Sequence, residues 1–127
     1  MYKRINVRNS TTCLVVEKDA GPGSSVIGYN CSTVPENQDN TLWLYDKTSK
    51  RLKTKFQGRD ICMGVRESDM IEGGDVMVWE CIDKEDQKWE LRKDGTIRNI
   101  NSLFCLSLDS NQRVTQRDCN SSTKFIW

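Results

Sequence analysis

The sequence predicts an all-β chain built from three copies of one short-strand pattern and closed into a small barrel or sandwich. Three observations carry this. Cysteines beside apolar runs recur as "CLVV" at Cys13, "CMGV" at Cys62 and "CLSL" at Cys105. A second cysteine follows in each copy, then a tryptophan: Cys31 with Trp43, Cys81 with Trp89, Cys119 with Trp127. Turn signals punctuate the chain, and no segment sustains a 3.6-residue period with caps.

Taken in order, the first copy has the strand at Cys13, the turn "AGPGSS" and a second strand ending near Tyr29. "WLYDKTSKRLKTKF" then reads as tryptophan, turn and strand. In "RLKTKF" alternation places Leu52, Thr54 and Phe56 on one face and Arg51, Lys53 and Lys55 on the other. The second copy repeats the pattern, with "EGGD" as its turn. "WELRKDGTIRNI" repeats the tryptophan–turn–strand grammar, and its Asp-Gly is a hairpin signal. The copies span approximately 1–44, 45–90 and 91–127, all within a single domain over 1–127. One tryptophan after the second cysteine of each copy predicts three equivalent rings packed around a pseudo-threefold axis, each a core anchor.

Six cysteines, no histidine and no Cys-x-x-Cys exclude the usual zinc sites and favour disulfides in an oxidising compartment. Six cysteines allow 15 pairings. The simplest scheme keeps each bridge inside its copy: Cys13–Cys31, Cys62–Cys81 and Cys105–Cys119. Each would contribute about 3 kcal/mol by chain entropy. The sequons at Asn9, Asn30 and Asn120 fit a secreted or extracellular glycoprotein. "MYKRINVRNS" lacks a signal-peptide core, so the expectation is a mature form or a domain of something larger. No stretch is apolar enough to span a membrane.

Net charge is +1, which gives no general pull toward nucleic acid. Its distribution is uneven. Six basic residues lie between Lys47 and Arg59, and eight acids between Glu67 and Asp86. These read as two solvated faces, with a sulfated polysaccharide along Arg51, Lys53, Lys55 and Arg59 as the sharper expectation. Absent histidine and paired cysteines argue against an enzyme. No cofactor or metal is expected.

At "VMVWECIDKEDQKWEL" the chain resembles ricin-type β-trefoil lectin domains, whose three repeats each end in Gln-x-Trp. Gln87, Lys88 and Trp89 match that motif. "TLW" at Trp43 and "FIW" at Trp127 keep the tryptophan and lose the glutamine. "DICMGVRESD", "VWECIDKEDQKWEL" and "NTLWLYDKTSKRLKTK" are also similar to the cysteine-rich domain of the mannose-receptor family. The resemblance implies a β-trefoil with pseudo-threefold symmetry and a non-catalytic carbohydrate-binding module for galactose, N-acetylgalactosamine or sulfated glycans. Its partner would be a glycan or glycoprotein, with avidity supplied by an additional domain or subunit.

In galactose-binding repeats of that family an aspartate stands two residues after the first cysteine. Here Val15, Gly64 and Ser107 occupy those positions. The stacking aromatic is expected two residues before the second cysteine, at Tyr29, Trp79 and Arg117. The closing Asn-Gln pair is matched by Asp86 and Gln87 in the second copy, and by Asn40 with Thr41 in the first. The resemblance therefore implies a second-copy site. Trp79 would stack on sugar, Asp86 would accept from hydroxyls, Gln87 would orient loop and ligand, and Asp69 or Asp75 would replace the missing aspartate. Tyr29 and Asn40 would form a lesser first-copy site. In the third copy Ser107, Asp109, Asn111 and Arg117 would form a polar pocket without a ring. The three missing aspartates favour the alternative of a protein-interaction or inhibitor module that has lost sugar binding.

Overall fold

The computed structural model describes residues 1–17 and 21–127. Among the described residues, twelve strands make three four-stranded antiparallel sheets. The strands are β1 (Asn6–Val7), β2 (Thr12–Val16), β3 (Val26–Asn30), β4 (Leu44–Asp46), β5 (Arg51–Phe56), β6 (Arg59–Val65), β7 (Val76–Glu80), β8 (Trp89–Leu91), β9 (Ile97–Asn99), β10 (Cys105–Leu108), β11 (Val114–Arg117) and β12 (Phe125–Ile126). The sheets run β12-β1-β2-β3, β4-β5-β6-β7 and β8-β9-β10-β11. One sheet thus joins both ends of the chain. The expected trefoil with three related sheets is what the chain forms. No helix among the described residues is long and apolar enough to cross a membrane.

Six strands close into a barrel. The strand pairs β12–β1, β4–β5 and β8–β9 alternate with backbone bonds that tie the two ends of each copy together. Trp43 N donates to Lys3 O (2.8 Å), Trp89 N to Lys50 O (2.8 Å), and Phe125 N to Gly95 O (2.7 Å). The other hairpins, β2–β3, β6–β7 and β10–β11, cap one end, where β3, β7 and β11 meet through isolated bridges. The two barrel hairpins, β4–β5 and β8–β9, use ordinary turn chemistry. In the Asp94-Gly95 turn, Asp94 Oδ1 accepts from Thr96 N (2.9 Å) and Gly95 takes φ +92°, a region open mainly to glycine.

The core follows the alternation. Leu52 and Thr54 are buried, while Arg51, Lys53 and Lys55 are half-exposed. Phe56, expected on the buried face, is only partly covered because it packs at the edge of the core. Thr54 is tolerated inside because its hydroxyl donates to Leu42 O (2.8 Å). Trp43 and Trp89 are fully buried, and each indole donates to the residue after a cysteine: Trp43 Nε1 to Leu14 O and Trp89 Nε1 to Met63 O, both at 2.9 Å.

The third ring is not the expected one. Lys53 pairs with Cys62, Asn6 with Cys13 and Arg98 with Cys105, so these three positions are equivalent. Their other partners are Leu44, Ile126 and Glu90. Counting back one residue aligns Trp43 and Trp89 with Phe125. Counting forward one aligns Trp127 with Tyr45 and Leu91. Phe125 is therefore the third core anchor, and Trp127 is only partly buried. The Gln-x-Trp triplet of the third copy is Thr123-Lys124-Phe125, two residues earlier than the tryptophan suggests. Hydrogen-bond register decides this, because a two-residue shift keeps a side chain on the same face of a strand.

The bridges are Cys13–Cys31, Cys62–Cys81 and Cys105–Cys119, one per copy as expected, and no cysteine is free among the described residues. The expected "AGPGSS" turn begins at Ala20, outside the described residues. Its later part is held by Gly23 N donating to Val78 O (2.7 Å).

Candidate functional site

In the second copy β6 and β7 pair so that Cys62 lies opposite Trp79 and Gly64 opposite Met77. Met63 and Val65 then fill the core, and Gly64 faces the turn at Glu85–Gln87. Between that turn, Trp79 and the Arg66–Ser68 turn opens a cavity of about 300 Å3. Trp79 is 43% exposed, with Gly23 of the first copy against its ring. It presents an aromatic surface beside a polar floor.

Asp86 forms that floor. It is only 6% exposed, yet it lines the cavity. Its Oδ1 accepts from Ser68 Oγ (3.0 Å), and its backbone carbonyl accepts from Asn99 Nδ2 (2.9 Å) of the third copy. A Cβ on residue 64 would sit 3.1 Å from Asp86 Oδ2 and 3.2 Å from Gln87 Cγ. The glycine thus leaves a space that the Asp86 carboxylate borders directly. Where related repeats place an acid on the strand, this chain places one on the facing turn.

Gln87 acts on the loop. Its Nε2 donates to Glu80 O (2.8 Å), and its Oε1 accepts from Ile82 N (3.0 Å). Both ends of the amide are spent spanning Cys81, which holds the chain just after Trp79. Gln87 therefore orients the loop. Ser68 was not singled out in the sequence. It reaches Asp86 because Glu67 and Ser68 both take left-handed backbone (φ 58° and 54°), a conformation with no strong signal in "RES". Arg66 and Lys84 also line the cavity.

The two proposed substitutes for the missing aspartate lie elsewhere. Asp69 Oδ1 accepts from Ile71 N (3.1 Å), closing its own turn. Asp75 pairs with Arg113 (2.8 Å) and, more loosely, with Arg66 (4.0 Å). Neither carboxylate lines the cavity beside Trp79. Local turn chemistry and a cation from the third copy hold them.

Tyr29 and Asn40 do share a cavity, of about 470 Å3, with Val15 at its wall. Tyr29 is well exposed. Asn40 Nδ2 donates to Val16 O (2.7 Å), while its Oδ1 is buried without a protein partner. Val15 puts methyl groups where an acceptor would be needed. In the third copy, Thr123 Oγ1 stands 3.3 Å from Ser107 Oγ and accepts from Leu108 N (3.0 Å). Asp109 Oδ1 is taken by the backbone of Asn111 and Arg113. The polar groups of that copy mostly serve each other.

The basic stripe is largely paired. Lys53 meets Asp46 (3.2 Å), Lys55 meets Asp60 (3.2 Å) and Arg59 meets Glu80 (2.6 Å). The backbone N–H of Ser49, then the Lys53 ammonium and the Thr48 N–H, hold the Asp46 carboxyl down at about 2. A carboxyl NMR titration is expected to place its midpoint near 2, below the ordinary 3.8. Any stability this contributes is present above the ordinary value and is lost as pH falls through 2.

Residues 1–127 match the ricin-type beta-trefoil lectin domain. The chain is 32% identical over 77 residues to beta-galactoside-specific lectin 2 of Viscum album, covering 58% of this chain and 14% of that protein. It is 32% identical over 73 residues to the agglutinin of Ricinus communis, covering 54% and 13%. It thus spans about a seventh of the length of these relatives. Among solved structures, an agglutinin from Abrus precatorius superposes with a TM-score of 0.81 at 22% identity, over 99% of this chain and 47% of that one. The trefoil lectin of the Vibrio vulnificus hemolysin/cytolysin, solved with N-acetyl-D-lactosamine bound, gives 0.77 at 19% identity, over 98% and 91%. These structures share the fold, and the full-length match decides the family: the chain belongs to the ricin-type β-trefoil lectin domains.

Proposed function

We propose that this domain is a lectin module that binds a galactose-type residue in the second-copy cavity, without catalysis. One observation carries the reading: the Asp86 carboxylate borders the space left by Gly64, beside the half-exposed Trp79. The apolar face of a galactose would lie on the indole, and Asp86 Oδ2 would accept from ring hydroxyls. Ser68 holds the carboxylate, and Gln87 holds the loop that carries the ring. The name of the Viscum album relative, a β-galactoside-specific lectin, supports the choice of sugar.

A sulfated galactose is the second reading. Arg66 and Lys84 line the same cavity and would meet a sulfate. Three disulfides suit an extracellular setting, and a single shallow site would need a second domain or subunit for avidity.

The test is calorimetric titration of galactosides, plain and sulfated, at low and high salt. Wild type is expected to bind, and Trp79→Ala to lose binding with little change in thermal midpoint. Equal binding by the two proteins overturns the assignment of Trp79. A sulfate contribution would shrink as salt rises, whereas stacking would not. Absence of binding to any glycan returns the domain to a protein-interaction role.

A further inference from the structure

The barrel has a second opening, at the end away from the capping hairpins. A cavity of about 390 Å3 lies there, within the ~300–1,000 Å3 of small-molecule pockets. Ile5 and Leu52 lie at its base, and Tyr45, Leu91 and Trp127 line it at three positions equivalent in register. These side chains differ in size. A ring of three unlike residues does not seal a threefold mouth as three matched ones would.

The lining is apolar except for Lys3 and Lys47, and it includes no acid. Neither lysine takes part in an ion pair among the described residues. Both are mounted on ordered backbone. Lys3 exchanges two bonds with Trp43, N to O at 2.8 Å each way. Lys47 sits in the turn that Asp46 Oδ1 closes on Thr48 N (2.9 Å). The Tyr45 hydroxyl is turned to Trp89 O (2.6 Å), so the ring is fixed.

We propose that this barrel mouth is a binding site for a small amphiphilic anion, an apolar or aromatic body carrying one acidic group. The body would enter between Leu91, Tyr45 and Trp127, and the acidic group would lie between Lys3 and Lys47. The site is independent of the sugar cavity, which shares none of these residues.

The test uses 8-anilino-1-naphthalenesulfonate and its uncharged counterpart N-phenyl-1-naphthylamine, followed by probe fluorescence on the disulfide-intact protein. Both are expected to bind saturably, one per chain, without displacement by lactose. Lys3→Glu combined with Lys47→Glu should weaken the sulfonate roughly ten-fold or more while leaving the neutral probe within about two-fold. Leu91→Trp should fill the mouth and abolish both. The lysine changes are at exposed positions and leave the fold intact, so they test the site even if Leu91→Trp unfolds. No saturable binding, displacement by lactose, or an unchanged sulfonate affinity in the lysine variant would each overturn the proposal.

Discussion

Trp89→Ala is expected to destabilise the domain by about 3–5 kcal/mol, the range for deleting a fully buried large aromatic. The loss has two parts. A cavity opens where three copies meet, and Met63 O loses the indole donor it holds at 2.9 Å. In a chain of this size the thermal midpoint should fall by roughly 10–20 °C. Phe125→Ala belongs in the same class, somewhat below Trp89→Ala because no hydrogen bond is lost. Trp127→Ala should cost only about 1–2 kcal/mol, since its ring is partly exposed. Thermal unfolding of the three variants under non-reducing conditions tests the register directly. If Trp127→Ala proves as damaging as Trp89→Ala, the equivalence of Phe125 with the two buried tryptophans is wrong.

Gly64→Asp, which restores the acid that related repeats carry on this strand, is expected to abolish sugar binding. A Cβ at 64 comes within 3.1 Å of Asp86 Oδ2 and 3.2 Å of Gln87 Cγ. The new carboxylate would crowd an existing one, and two like charges in one small site cannot both stay ionised without cost. Overpacking and repulsion together should also lower stability by about 1–3 kcal/mol. Combining Gly64→Asp with Asp86→Ala should relieve the clash and recover part of the affinity, because one acid again faces Trp79. Asp86→Asn alone should weaken binding roughly 10–100-fold, the worth of a charged acceptor. Calorimetric titration of these variants reads the outcome. Tighter binding by Gly64→Asp would show that Asp86 does not stand in for the strand acid.

Much of the fold was legible along the chain. The alternation in "RLKTKF" puts Leu52 and Thr54 inside. The Asp94-Gly95 turn is a hairpin where "KDG" marks one. Each cysteine finds the partner within its own copy. These features depend on contacts between residues near in sequence, so local residue types suffice to specify them. That Trp79 and Asp86 lie near one another was legible too, and they line one cavity, because they are within eight residues across a bridged loop.

Other features depend on neighbours far away in the chain. Phe125 is an anchor because its backbone bonds to Gly95 and its strand pairs with Asn6 and Val7. Nothing within "STKFIW" distinguishes it from Trp127. Asp69 and Asp75 looked as available as Asp86, yet their turn and Arg113 hold them away. Ser68 and Gly23 join the cavity from separate loops. A strand pattern repeats every two residues, so it sets which face is buried but tolerates a slip of two. Only the closed ring of hydrogen bonds removes that freedom, and with it decides which ring fills the core and which acid borders the cavity.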